Sequence, residues 1–186
     1  MGYLLSSVMA RTSLMRKIDL ENELARLTFK VMAAEEQCVA MQDSIDRQVE
    51  QAKNDNTIMS NIAKASVAQK LAEKYGVTDI LQSGSSANLT EEQQRAYSAY
   101  QTDYSAAIAR IEAQSAMNLK QIEAKREQMI RLQLEPLKQE QKLLSTQKER
   151  MESRLKMYTQ INQNYANAKG NELKDLIPNP GGGGNG

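Results

Sequence analysis

One thiol and a short run of carboxylates are the groups in this sequence whose placement first suggests chemistry. Cys38 is the single cysteine, and Glu35, Glu36, Asp43 and Asp46 lie close on either side of it. A thiol attacks substrates as its thiolate, which a neighbouring imidazole usually generates, and clustered carboxylates bind hard cations. The 186 residues contain no histidine, so the commonest general base and the commonest metal ligand are both missing. Cys38 falls between Ala34 and Met41 on an apolar helical stripe, and is expected to be a small core thiol. The acids are expected to be a solvated outer face.

Three short motifs carry as little. The glycines at 181 to 184 precede no Gly-Lys-Ser/Thr and follow no strand, so they are no phosphate loop. The opening MGYLLS fits a loose acylation pattern and Asn88-Leu89-Thr90 a glycosylation pattern. Both are short enough to arise by chance, and Tyr3 crowds the first. No catalytic residue, metal ligand, cofactor or small-molecule substrate is expected, and the chain reads as a non-enzyme.

Surface contact is the remaining kind of function. Residues 3 to 18 place Tyr3, Leu4, Leu5, Val8, Met9, Leu14, Met15 and Ile18 on one apolar side flanked by Arg11, Arg16 and Lys17, a combination that suits either a membrane interface or a partner protein. Tyr97, Tyr100 and Tyr104 form a ladder that is a hot spot if bare and ordinary packing if paired, with packing favoured. Val77, Ile80 and Leu81 make a short apolar patch in a segment of turn residues, a candidate contact for a partner. The chain carries 24 basic and 23 acidic residues without a basic block, so no nucleic-acid partner is expected.

Long helices are what must carry these groups. With one Phe, no Trp and a quarter of the residues charged, a thick core is out of reach, whereas a narrow seam between helices needs only about two apolar positions in seven. No Gly or Pro interrupts the interval between Gly2 and Gly76. There Leu20, Leu24, Leu27, Val31, Ala34, Cys38, Met41, Ile45, Gln48, Ala52, Asp55, Met59 and Ile62 follow one another in alternating steps of four and three. Leu14 and Ile18 fall out of this register, which suggests a stutter near residues 18 to 20 and a separate amphipathic helix before it. The polar members Gln48 and Asp55 read equally as register-fixing residues or as places where the seam admits water.

A second arm is expected from Glu91, where Thr90 and Gln93 form a capping box. Its inner face runs through Tyr97, Tyr100, Tyr104, Ile108, Ile111, Ile122, Met129 and Leu132 with some slippage. Beyond Pro136 the residues Leu137, Leu144, Met151, Tyr158 and Tyr165 recur at sevens. Pro136 lacks an N–H and crowds the preceding turn, which predicts a kink or short break. The expected organisation is an amphipathic segment at 1–18, a first arm at 19–75, a tip at 76–90, a second arm at 91–169 capped by Gly170, and a flexible Gly-rich tail at 170–186.

The fold class is therefore all-α, a long antiparallel helical hairpin or coiled coil, with arms on the order of 90 to 120 Å at 1.5 Å per residue. In broad form it resembles bacterial membrane-remodelling hairpin proteins and, equally, coiled-coil components or adaptors of secretion systems, by shape alone. The expected function is that of a structural or adaptor protein that self-associates or binds partner helices in a larger assembly. The alternative is a peripheral membrane protein using the first segment as its foot. No run approaches the ~20 apolar residues of a membrane span, and no secretory leader is visible, so a cytoplasmic location is expected, peripheral to a membrane on the alternative reading, with signal-independent secretion left open.

Overall fold

The structure is a computed structural model that describes residues 2–84 and 88–176, with first-helix side chains described at 8, 9 and from 11 onward. It is an all-α helical hairpin, without strands among the described residues. Helix α1 spans Gly2–Tyr75, α2 spans Thr78–Ser83 and α3 spans Glu91–Met129; a π turn at Ile130–Leu134 leads into α4, Glu135–Leu176. Because α1 passes through residues 18 to 20 unbroken, the segment expected at 1–18 is its first turns and not a separate helix.

Local chemistry sets where the chain turns. Gly76 adopts a φ of 65°, a left-handed conformation open to glycine because it has no Cβ. Around it the Val77 N–H donates to the Ala72 carbonyl at 3.0 Å and the Gly76 N–H to that of Glu73 at 3.3 Å, the paired bonds of a Schellman C-cap. The apolar contact of that motif is also present, since Ala72 and Val77 share one buried cluster. At the start of α3 the expected capping box forms. The Gln93 N–H donates to Thr90 Oγ1 at 3.2 Å, and the Thr90 N–H donates to Gln93 Oε1 at 3.0 Å.

The chain divides into two compact units, a tip unit of Ala40–Glu135 and a terminal unit holding the residues up to Val39 and from Pro136 onward. Within the tip unit α1 and α3 run antiparallel, since partners on α3 fall in number as those on α1 rise. Lys53 pairs with Glu123, Asn56 bonds Ser115 and Asn118, Lys64 meets Glu112 at 3.0 Å and Tyr75 donates to Asp103. Within the terminal unit α1 and α4 are likewise antiparallel: Arg16 donates to the Tyr158 hydroxyl at 3.4 Å, while Leu27 lies beside Met151.

The packed face of α1 differs between the units. In the terminal unit it follows the expected strip, with Leu27, Val31, Ala34 and Cys38 buried and Leu20 and Leu24 half-buried. Opposite, the α4 positions Leu137, Gln141, Leu144, Lys148, Met151, Leu155, Tyr158, Asn162, Tyr165 and Lys169 are all half-buried and keep steps of four and three. In the tip unit Met41 is half-buried and Ile45 fully enclosed, but the next inward residues are Val49, Ala52, Asn56, Ser60, Ala63, Val67 and Leu71. That face repeats every eleven residues, as in Ile45, Asn56 and Val67. So does its α3 counterpart, where Tyr100, Ile111 and Ile122, or Tyr104, Ser115 and Arg126, take equivalent places.

Beyond Ile45 the expected strip is therefore corrected. Gln48 and Asp55 are exposed, and Met59 and Ile62 are 65% and 58% exposed. An eleven-residue repeat gives about 3.67 residues per turn, close to the natural 3.6 of the helix. A strict seven-residue beat drifts by ~20° per heptad and leaves that face unless the helices supercoil.

The disruption expected near Pro136 takes the form of the π turn. The Glu135 N–H reaches back five residues to the Ile130 carbonyl, and this widened turn precedes the position where proline has no N–H to give and would press on the carbonyl four residues earlier. Leu134, the last residue of the turn, is 1% exposed. At the other end α4 continues through Gly170 to Leu176. Gly170 is therefore not a cap, residues 170–176 are helical rather than tail, and the glycine-rich 177–186 lie outside the described residues. Truncating Ile45 to Ala is expected to cost about 2–5 kcal/mol, and Ile62→Ala to stay within about 0.5 kcal/mol. Urea unfolding followed by circular dichroism measures both.

Candidate functional site

The residues with reactive side chains do not converge. Cys38 is 8% exposed beside Ala34 on the packed face of α1. Glu35, Glu36, Asp43 and Asp46 all face outward. Asp46 accepts from the Gln42 amide and lies 3.7 Å from Arg126, while the Arg47 Nε–H donates to the Asp43 backbone carbonyl at 3.3 Å. Among the described residues no three thiol or carboxylate groups come together as a metal set. The Lys53 ammonium donates to the Glu123 carboxylate and holds its pKa below the usual carboxylate range. This is an exposed cross-helix pair, of a kind that contributes little.

The three tip residues separate on closer view. Val77 is wholly buried as part of the C-cap of α1, and Ile80 packs half-buried against the same cluster. The expected partner patch is thus corrected for Val77, which belongs to a core, and Leu81 alone is exposed, at 42%. The tyrosine ladder completes that core. Tyr100, 7% exposed, clusters with Ala72 and Val77, and its ring stacks with Tyr97 at 6.2 Å and with Tyr104 at 5.7 Å. Tyr75 donates to Asp103, and Lys74 sits 4.9 Å above the Tyr75 ring and 3.7 Å from the same carboxylate.

What remains open is apolar surface. In the terminal unit Val8 and Met9 are 60% and 73% exposed. They border a groove of about 510 Å³ with Thr12, Ser13, Arg16, Tyr158, Ile161, Asn162 and Tyr165. Arg11 and Arg16 are exposed and Lys17 half-buried, the last 3.8 Å from Glu21; the side chains of Leu4 and Leu5 lie outside the described residues.

A feature that the sequence reading missed is the continuation of this apolar surface along the far side of α1, where Phe29, Met32 and Val39 stand exposed beyond the equally exposed Met15 and Ile18. Phe29, the chain's one phenylalanine, is 77% exposed. Its signal was present, because Met15, Ile18, Asn22, Ala25, Phe29 and Met32 also keep steps of three and four. In the tip unit Ile58, Met59 and Ile62 are likewise bare.

Taken together, the geometry defines a helical hairpin with apolar flanks, and no described helix is long and apolar enough to cross a membrane. No family model, no curated protein and no solved structure matches the chain.

The tip core also imposes a pH dependence. Burial raises the Tyr100 pKa above the ordinary tyrosine value near 10.0, and Tyr104 and Tyr97 add to the shift. The unfolded chain releases this proton first, so the stabilisation is complete below about pH 10 and is lost as pH climbs through the higher folded value. Helicity followed against alkaline pH is expected to decline above that point, and Tyr100→Phe to extend it upward.

Proposed function

We propose that this chain is a non-enzymatic structural or adaptor protein that works by packing its helices against partner helices, or against further copies of itself, within a larger assembly. The observation that carries this reading is the bare apolar surface on α1: Phe29 at 77%, Met59 at 65% and Ile62 at 58% exposed. Each large apolar side chain left in water forgoes roughly 1.5–3 kcal/mol of burial, and contiguous apolar patches commonly mark interaction sites. Helices recognise such stripes through anchors three and four residues apart, the spacing seen at Met59 and Ile62.

The test is capture of partners by the full chain in its source cells, compared with a Met59→Glu, Ile62→Glu variant. These positions are exposed, so the variant is expected to remain helical while losing the partners that the native chain retains. Equal capture by both chains, or a native chain that captures nothing and is monomeric by light scattering, counts against the reading.

A second reading has its own support in Val8, Met9 and Met15, bare beside the exposed Arg11 and Arg16. Apolar side chains flanked by cations suit an anionic lipid interface. Co-sedimentation with vesicles containing anionic phospholipid is expected to fall for Val8→Glu, Met9→Glu if this surface is the membrane foot; absence of sedimentation by the native chain removes the idea.

A further inference from the structure

The far side of α1 in the terminal unit has a second heptad strip, and its occupant can be argued. Met15, Asn22 and Phe29 hold one heptad position, and Ile18, Ala25 and Met32 the other. All six are exposed, and on a seven-residue beat they lie nearly opposite the buried Leu27, Val31 and Ala34. One side of the helix is covered by α4; the other is bare. We propose that this strip is the interface with a second copy of the same chain, its α1 parallel and in register. The inference deepens the assembly role proposed above and rests on it.

Three features point to this occupant. The first is the amide of Asn22. In a parallel, in-register pair it meets its own counterpart and the two amides, each both donor and acceptor, satisfy one another. An asparagine at this heptad position is a known specifier of register and of two strands. In an antiparallel pair centred on the strip, Asn22 faces Ala25, which offers nothing to bond.

The second feature is charge. Glu21 and Arg26 flank the strip at the positions that face each other across a parallel pair, five residues apart. Both are largely exposed, Arg26 lying 2.9 Å from Glu23 and Glu21 3.8 Å from Lys17 on their own helix. Each copy's Glu21 thus meets the other's Arg26, which favours this orientation more than it adds affinity. The strip ends where Glu36 takes the next equivalent place and would confront its own copy.

The third feature is area. At 77% exposed, Phe29 alone offers on the order of 150 Å². With Met15, Ile18 and Met32 at 60%, 48% and 54% exposed, and the stems of the flanking residues, the strip approaches the ~800 Å² per partner of a standard interface.

Light scattering of the full chain is expected to give twice the 20.8 kDa chain mass, and Phe29→Glu, Met32→Glu to halve it with helicity by circular dichroism unchanged. In a Cys38→Ser background, mild oxidation of an Ala25→Cys variant is expected to produce a covalent dimer, because equivalent residues of a parallel pair come within disulfide reach. A monomeric native chain, a dimer that survives the double glutamate variant, or a dimer in which the Ala25→Cys variant stays reduced each overturns the proposal. A native monomer that still captures its partners overturns this inference and leaves the broader role standing. A native dimer that captures nothing else upholds this inference and narrows the broader role to self-association.

Discussion

Everything in this fold depends on how a side-chain repeat compares with the 3.6 residues of a helical turn. A narrow apolar strip stays covered only if its repeat and the path of the helix agree. The terminal unit uses sevens on both α1 and α4, and the tip unit uses elevens on both α1 and α3. Within each unit the two helices share one repeat, so their inward faces stay opposed along the pair. The π turn at Ile130–Leu134 lies where the eleven-residue face of α3 gives way to the seven-residue face of α4. A widened turn accommodates one extra residue, which is what a change of phase requires; the proline that follows profits from the same widening.

Pairs of helices, unlike globular cores, cover each member on one side only. That is why α4 has no fully buried residue and why the deepest packing is found in small places: Ile45, Leu134, and the knot of Ala72, Val77 and Tyr100. Polar residues are admitted to the seam where they satisfy one another. Asn56 donates to Ser115 Oγ at 2.9 Å and accepts from the Asn118 amide at 3.0 Å, a layer whose bonds exist only when these turns of α1 and α3 are level. Such layers add little to net stability and much to the uniqueness of the register.

Much of this was legible in the residues alone. The long uninterrupted α1 followed from the absence of Gly and Pro, the start of α3 from Thr90 and Gln93, and the α4 face from the sevens beginning at Leu137. The face of α1 beyond Ile45 was not. Continuing the beat required Gln48 and Asp55 as polar members, while Val49 and Asn56, one residue further on, carried the eleven-residue alternative. The apolar Met59 and Ile62 concealed the change, because composition cannot tell an apolar residue covered by its own chain from one left bare. Gly170 misled for a related reason: glycine ends a helix when it takes a positive φ, as Gly76 and Gly84 do, and spacing alone does not reveal which glycine will. The burial of Val77 was hidden too, since it arises from a cap whose six-residue bonding pattern becomes visible only once the turn has formed.

That cap bears on how the chain comes off the ribosome. All 74 residues of α1 are made before any residue of α3 exists to cover them, and translation at roughly 5–20 residues per second leaves that helix waiting for seconds with its greasy sides unshielded. The knot around Val77 needs only neighbours close along the chain, so its loop-closure cost is small and it can form first. Closure that starts at this turn leaves the described turns of α1 farthest from Gly76 uncovered longest, because α4, their partner, is made last, and that stretch stays available to chaperones or to another nascent copy meanwhile.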